Sequence, residues 1–386
     1  MTRILAIDIG TGTQDIFLFD SRLDIENGFK MVMPSPTMLV RQRLQEATRR
    51  GDAVLLSGVT MGGGPCAWAA EDHARQGLPI YATPDAARTL NDDLEAVQGM
   101  GITIVSEDEA RGLPDSVVRL YLRDFDFSLI TAAFKPFDVS LSHLDAVAVA
   151  VFDHGAAPRG VSDRQFRFDY IDQRIRQDNR LSAFAFRSDN IPPIMTRMQA
   201  VAAAAQDVDA PLLVMDTAPA AVLGASCDPL VATRQRCLIV NIGNFHTLAF
   251  RLGNGGIEGV FEHHTGLIDL PKLENLLRRL ADGSLSRSDV FDDHGHGALI
   301  YESTPLPLGN ADFDVAVTGP RRSLFKPSKG SPALTLRPHF AVPFGDMMIA
   351  GCFGLLVATA DIIPELGESI RTALKGDEEH SAAPWD

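Results

Sequence analysis

The sequence predicts an α/β fold of two lobes that face one another across a cleft, and three observations lead to this prediction. Apolar runs alternate with helix-like stretches through the first half of the chain. A hairpin pattern at residues 4–20 recurs at residues 237–251, which indicates one copy in each lobe. The chain has 386 residues, a length typical of two domains.

The first hairpin has the composition of a phosphate-binding turn. Its first strand runs to Asp8, and the turn that follows contains Gly10, Thr11, Gly12 and Thr13. Glycines let backbone N–H groups approach an anion, threonines add hydroxyl donors, and the acid can hold hydrated Mg²⁺. An ordinary hairpin turn is the alternative, but such a turn does not need an acid at the strand end.

Residues 22–210 have the pattern of βα units. Apolar runs that predict strands lie at 53–56, 78–82, 101–105, 144–151 and 211–215. Helices are predicted to begin near 64–65 and at 83–85, where proline lies in the first turn. The glycine-rich loop 60–65 is interpreted either as a close backbone approach to a ligand or as a flexible connection before a helix.

The loop after the predicted strand 144–151 holds the substrate-side candidates, because ligands meet α/β folds at such loops. His154 is a candidate general acid or base near neutral pH. Arg164 and Arg167 are candidate clamps for an anionic substrate. The alternative is a surface loop with solvated arginines.

The second hairpin repeats the first, with Asn241 standing where Asp8 stood. Its turn is predicted to bind a phosphate through residues that follow this asparagine: Gly243, Asn244, His246 and Thr247. Because the Asn241 amide carries no charge, the site has one negative charge fewer near the metal, and we expect weaker Mg²⁺ binding. A later strand, 312–318, ends in Thr318 and Gly319, which predicts a contact to an anion or a nucleoside.

Histidines and cysteines leave two alternatives open. The run 292–296 offers oxygen and nitrogen metal ligands, although loop histidines more often cap turns. The four cysteines lack the spacing of a zinc or iron–sulfur motif, so buried thiols are expected. A cluster shared between two subunits through one or two cysteines each stays open.

Charge and hydropathy limit the partners. A net charge of −15 argues against nucleic acid and anionic membrane surfaces. The apolar run 347–359 is too short to span a bilayer and is predicted to be core, with glycines that suit close helix packing. No secretory leader pattern is visible, which predicts a cytoplasmic protein.

Four segments in order resemble the actin, Hsp70 and sugar-kinase superfamily of ATPases. Residues 8–13 and 241–247 resemble its two phosphate loops, 216–225 its first connecting helix, and 317–322 its adenosine motif, followed by a second connecting helix from residue 346. The resemblance implies a bilobal, ribonuclease H-like fold with an enlarged first lobe. It also implies that ATP and Mg²⁺ are cofactors, that Asp8 lies near the metal, that Asp216 is the catalytic acid that orients the nucleophile, and that Gly319 contacts adenosine.

On this basis the chain divides into four parts. We expect a first lobe at residues 1–230, a second lobe at 231–345, a closing helix at 346–375 that packs on the core, and a frayed tail at 376–386.

The whole chain further resembles a family often labelled pyruvate formate-lyase activating enzyme. Radical activation requires a three-cysteine iron–sulfur motif, which this sequence lacks, so we expect ATPase or small-molecule kinase chemistry instead. The alternatives are a non-catalytic nucleotide-binding scaffold and an ATP-driven activator of a partner enzyme. The sequence leaves open which metabolite or protein is the partner and whether the chain forms a homodimer.

Overall fold

The computed structural model describes residues 1–326 and 333–376, and within them sixteen strands form three sheets. The strands are β1 (Arg3–Ile9), β2 (Thr13–Asp20), β3 (Phe29–Pro34), β4 (Val54–Gly58), β5 (Ile80–Ala82), β6 (Thr103–Ile104), β7 (Val118–Leu122), β8 (Ala146–Val151), β9 (Ala185–Arg187), β10 (Leu212–Asp216), β11 (Cys237–Ile242), β12 (His246–Gly253), β13 (Gly256–His264), β14 (Gly297–Ile300), β15 (Val315–Thr318) and β16 (Pro338–Phe340). The helices are α1 (Pro36–Arg50), α2 (Pro65–Arg75), α3 (Pro84–Ala87), α4 (Leu94–Gly99), α5 (Glu107–Gly112), α6 (Phe127–Phe134), α7 (Asp163–Gln177), α8 (Thr196–Ala204), α9 (Thr217–Ala225), α10 (Pro229–Ala232), α11 (Leu270–Asp282), α12 (Arg287–Phe291), α13 (Ala350–Ile362) and α14 (Pro364–Lys375). Most of the predicted frayed tail, residues 377–386, lies outside the described residues.

Two of the sheets share a five-stranded arrangement, and each has a sixth strand at a different edge. The first has the strand order β3-β2-β1-β8-β10-β9, and the second has the order β14-β13-β12-β11-β15-β16. In each, a central strand, β1 or β11, pairs antiparallel with the next strand in the chain and parallel with a later one, β8 or β15. The predicted bilobal α/β fold with two copies of the hairpin is therefore confirmed.

A third sheet, with the order β6-β5-β4-β7, is parallel throughout. It is inserted between β3 and β8 and has a hydrophobic core of its own, to which α1 and α2 contribute. The predicted enlargement of the first lobe is this inserted domain.

Helices α9 and α13 cross between the two main sheets. Helix α13 packs in the core of the first sheet, whereas Ala218 and Val222 of α9 pack under the second sheet. A Cβ on Gly224 would lie 1.7 Å from the carbonyl oxygen of Ala350, and a Cβ on Gly354 would lie 1.9 Å from that of Ala220. The helix backbones therefore touch, and the predicted core run 347–359 is core from Ile349 onward, whereas Met348 is exposed. Among the described residues no helix is long and apolar enough to cross a membrane.

Helix α7 precedes β10 in the chain but packs with the second sheet through Phe168, Ile171 and Ile175. The chain therefore crosses between the two lobes more than once. The division at residue 230 stays a prediction.

Candidate functional site

The turns of the two hairpins are closed in the same way and face one another. The amide of Gly10 donates to the carbonyl of Thr13 at 2.9 Å, and the amide of Gly243 donates to the carbonyl of His246 at 2.9 Å. A Cβ added to Gly12 would lie 2.9 Å from Nδ2 of Asn244. The glycine thus allows the first turn to approach the second across the cleft.

A cavity of about 870 Å³ lies between the lobes and is lined by both turns. This volume falls within the range of small-molecule and cofactor sites. The predicted site residues on its wall are Asp8, Gly10, Thr11, Gly12, Thr13, His154, Asn241, Gly243, Asn244, His246, Thr318 and Gly319.

Two carboxylates lie together in the cavity wall, and the sequence reasoning found only one of them. Asp8 and Asp15 are directly opposite in the β1–β2 pair and both line the cavity. Burial raises the pKa of Asp8 to about 6, although the hydroxyl of Thr217 donates to its Oδ1 at 2.5 Å and opposes the shift. Burial and the charge of Asp8 raise the pKa of Asp15 to about 8, and Oδ1 of Asp15 is buried without a hydrogen-bond partner. The spacing of the two acids on either side of a short turn is the signal that would have revealed Asp15.

Asp216 does not line the cavity. Its carboxylate accepts from the Ala218 amide at 3.1 Å, as the N-cap of α9, and from Nη1 of Arg167 at 2.8 Å. Arg167 is 1% exposed and also donates through Nε to Glu262 at 2.7 Å. The predicted clamp for an anionic substrate is therefore engaged by two buried carboxylates, and the catalytic role of Asp216 stays a prediction.

Two further predicted residues also lie away from the cavity wall. Nη1 of Arg164 donates to the backbone carbonyls of Phe291 and Gly295, at 3.0 and 2.5 Å, so this side chain braces a loop. Thr247 is fully buried, and its hydroxyl shares a hydrogen bond of 2.9 Å with that of Thr265. Neither side chain contributes to the cavity surface.

The glycine-rich loop before α2 is part of the cavity wall. The amide of Gly62 donates to both carboxylate oxygens of Asp124, each at 3.2 Å. Arg197, which also lines the cavity, donates to the same carboxylate at 2.6 and 3.0 Å. A Cβ on Gly64 would lie 2.6 Å from the ring of Phe245 in the second turn, so the inserted domain closes against the second lobe at this point.

The end of β15 closes the cavity on the second lobe. Thr318 pairs with Asn241 in the parallel β11–β15 register. Gly319 has φ of +96°, and a Cβ there would lie 2.5 Å from Oδ1 of Asn241, so the turn requires glycine. Nη1 of Arg322 donates to the Gly319 carbonyl at 3.0 Å, and Arg322 lines the cavity. This arginine lies in the segment 317–322 that resembles the adenosine motif but was not itself named as a site residue, and it supplies positive charge on that side.

A cluster of histidines lies beside the second turn. One possible ligand atom from each of His154, His246 and His296 lies within 4.8 Å of the others. The ring of His264 is 4.8 Å from that of His296 between centroids, and the ring of Phe152 stacks on His246 at 4.3 Å. Burial lowers the pKa of His154 and His246 well below the usual value and lowers that of His296 to about 2. The shifts in pKa therefore favour the neutral form of these three imidazoles.

The cysteines lie apart from this cluster and are free. Cys66 is buried in the core of the inserted domain and Cys352 in the core of the first sheet. Burial raises the pKa of the Cys66 thiol to about 11 and raises the pKa of the Cys352 thiol well above its usual value. Neither thiol is presented at a surface where two subunits could share a cluster.

A family model described as "Putative pyruvate format-lyase activating enzyme (DUF1786)" matches residues 61–324, more than half of the chain. No curated protein matches the sequence.

The solved structures that the chain matches include two kinases. The ROK hexokinase from Thermus thermophilus is 11% identical with a TM-score of 0.23, over 66% of this chain and 47% of that one. The chain therefore spans about half the length of the hexokinase. The inorganic polyphosphate/ATP-glucomannokinase from Arthrobacter sp. strain KM is 12% identical with a TM-score of 0.36, over 95% and 100%. The fold assignment itself rests on the sheet topology.

Proposed function

We propose that this chain, which belongs to the DUF1786 family, binds a nucleoside triphosphate with Mg²⁺ between its lobes and transfers or hydrolyses the terminal phosphoryl group. The observation that carries this proposal is a pair of glycine-rich turns that face one another over a cavity with two half-buried carboxylates in its wall. Phosphoryl transfer depends on positioning and on stabilising negative charge, and these parts are suited to both.

The two turns would hold the phosphates. Gly10 and Gly12 in one lobe and Gly243 in the other let the backbone come close to phosphate oxygens, where amides and the hydroxyl of Thr11 can donate. Arg322 lies on the same cavity and would balance charge on the nucleoside side.

The carboxylate pair fits a hard cation. Asp8 and Asp15 offer the oxygen ligands that Mg²⁺ prefers. Oδ1 of Asp15 is buried and unpartnered, and among the described residues neither Asp8 nor Asp15 forms a salt bridge. When bound, Mg²⁺ would neutralise charge that develops on the phosphates. Asn241 is a weaker ligand than an acid, so we expect this site to bind Mg²⁺ more weakly than one with a third carboxylate.

A second candidate, nucleotide binding without turnover, is favoured by the environment of Asp216. An acid that orients a nucleophile has to reach the reacting atoms, and Asp216 is instead held by Arg167 outside the cavity wall. In that case nucleotide binding would change the angle between the lobes and act on a partner protein. This second candidate includes both a non-catalytic nucleotide-binding scaffold and an ATP-driven activator of a partner enzyme.

Calorimetry with ATP, ADP and Mg²⁺, followed by a phosphate-release assay, tests the proposal. Asp15→Asn and Asp8→Asn should each weaken the Mg²⁺-dependent part of ATP affinity by about tenfold or more, because each removes one anionic ligand. Asp361→Asn is the matched control, since this acid lies in the last turn of α13 and pairs with Arg371. Absence of ATP binding in the wild type would refute nucleotide function, and binding without phosphate release would favour the second candidate.

Asp216→Asn separates the roles further. If Asp216 orients the nucleophile, turnover should fall by about 10²-fold with nucleotide affinity nearly intact. Equal turnover in this variant and the wild type would exclude Asp216 from the chemical step.

A further inference from the structure

We infer that His154, His246 and His296 form a binding site for one divalent transition-metal ion, of the class that takes imidazole ligands, in the wall of the interlobe cavity. The three residues come from distant parts of the chain. His154 follows β8 in the first lobe, His246 begins β12 in the second turn, and His296 immediately precedes β14. The site is separate from the carboxylate pair of Asp8 and Asp15 and requires no nucleotide.

The ligand atoms are nearly at coordination distance. One nitrogen from each ring lies within 4.8 Å of the others. With Zn–N bonds of 2.0–2.1 Å, tetrahedral geometry places ligand nitrogens about 3.4 Å apart. Metal binding would therefore require the ligand nitrogens to approach one another by up to about 1.4 Å.

A buried carboxylate is placed to orient one of the ligands. Nδ1 of His296 and Oε1 of Glu262 are 3.6 Å apart, and both atoms are buried without a hydrogen-bond partner. A metal ion on the opposite ring nitrogen would fix the tautomer so that Nδ1–H donates to Glu262. Such carboxylate–histidine pairs behind a metal ligand set ring orientation and increase ligand basicity. A bound metal would therefore allow these two buried polar atoms to form a hydrogen bond with each other.

The charges behind the histidines are mixed: beyond burial, the charge of Arg167 lowers the pKa of all three rings and so disfavours a cation, whereas the Glu262 carboxylate lies 3.6 Å from His296. Arg167 is fully surrounded by protein and is paired with both Asp216 and Glu262, so this buried group carries one more negative than positive charge when both acids are ionised. An uncompensated charge in the interior is costly unless a countercharge lies nearby. A dication bound by the three neutral imidazoles would supply that countercharge.

The loop that carries His296 is held in place by several contacts. Arg164 donates to the carbonyls of Phe291 and Gly295, and the His296 amide donates to the carbonyl of Glu262 at 2.9 Å. His263 is 3.1 Å from Asp293 in the same loop. Metal sites need ligands whose positions are fixed before the ion arrives, and these contacts provide that.

Three protein ligands leave at least one position for water or for an oxygen atom of a bound molecule. His154 and His246 line the cavity, whereas His296 lies behind them. The open position would therefore face the cavity, as in metal sites that act on a ligand and not in purely structural ones. The opposing interpretation is a neutral aromatic cluster, in which Phe152 and the imidazoles pack together without an ion.

Cobalt titration of the full chain, without a polyhistidine tag, tests the site. The protein is stripped with a chelator, dialysed, and titrated with Co²⁺ in the absence of nucleotide, with visible absorption and calorimetry as readouts. We expect one Co²⁺ per chain with the absorption of an imidazole-bound ion, and competition by Zn²⁺. A featureless titration with no saturable binding would overturn the inference in favour of the aromatic cluster.

Variants assign the ion to these residues. His246→Ala and His296→Ala should each weaken Co²⁺ binding more than about 100-fold, and Glu262→Gln should weaken it about 10–100-fold while the ligands stay in place. His294→Asn is the matched control, because His294 is exposed in the same loop and asparagine tolerates its φ of +64°. If circular dichroism shows that His296→Ala does not fold, the Co²⁺ affinities of the other two variants test the assignment. Wild-type affinity in both His246→Ala and Glu262→Gln would overturn the assignment.

Because the probe is a metal ion alone, this result is independent of nucleotide function. A chain that binds Co²⁺ but not ATP would keep this site and refute the proposed phosphoryl chemistry. A chain that binds ATP but not Co²⁺ would refute this metal site and leave the proposed nucleotide function in place.

Discussion

Replacing Arg167 by methionine should strongly destabilise the protein. Arg167 joins Asp216 at the end of the first sheet to Glu262 in the second sheet, at 2.8 and 2.7 Å. The side chains of the three residues are 2%, 7% and 0% exposed, so water cannot replace the lost partner. The change leaves two carboxyl groups in the interior without their cation.

The size of the effect follows from this burial. Breaking a buried ion pair by removing one partner costs about 3–5 kcal/mol. At roughly 2 °C per kcal/mol for a chain of this size, the apparent melting temperature should fall by about 8 °C. The cost should be smaller when the two acids are neutralised together, as in the triple variant Arg167→Met, Asp216→Asn, Glu262→Gln, because no uncompensated charge is then buried.

Differential scanning calorimetry in chelator measures the effect without a contribution from bound metal. Arg176→Met is the matched control, since this arginine lies on the same helix, is 67% exposed and forms only a surface pair with Asp172. Its loss should change stability by less than about 0.5 kcal/mol. Equal melting temperatures for Arg167→Met and Arg176→Met would refute the reasoning, as would a triple variant less stable than Arg167→Met.

Two further predictions concern the helix crossing and the response to acid. Gly354→Ala should lower both the melting temperature and the affinity for ATP, because its Cβ would lie 1.9 Å from the carbonyl oxygen of Ala220 and would push α9 and α13 apart; unchanged values in scanning fluorimetry and calorimetry would contradict the close crossing. Burial raises the pKa of Asp228, but bonds from the Val342 amide and His339 outweigh it and lower the pKa overall. Asp228 therefore stabilises the fold above its ordinary pKa of about 4, and the difference in melting temperature between the wild type and Asp228→Asn should shrink as pH falls below that value; a difference independent of pH would contradict it.

The sequence predicted those parts of the site that are local in the chain. A hairpin places its own turn residues together, so Asp8, Gly10 and Gly12 in one copy and Gly243 in the other were readable from the spacing of glycines between apolar strands. The same locality explains why the repeated pattern predicted two lobes. Asp15 could have been found in the same way, because a short turn fixes the register of the strands that it joins.

The contacts between distant segments were not predictable from local pattern. Arg167 has the sequence context of a solvated loop arginine, yet its partners lie 49 and 95 residues further along the chain. Which carboxylates meet a given arginine depends on how α7 packs on the second sheet, and no single segment encodes that. Arg164 was assigned to substrate for the same reason and instead braces the loop of His296.

The sequence by itself determined the fold class, the two glycine-rich turns and the glycine-rich crossing helix, since each depends on periodicity or on residues within one turn. The tertiary structure alone decided which of the histidines come together. His154, His246 and His296 are separated by 92 and 50 positions by number, and they meet because the two sheets pack across one cleft. Hydrophobic burial of the sheets and crossing helices fixes that geometry, so the polar cluster is a consequence of apolar packing elsewhere.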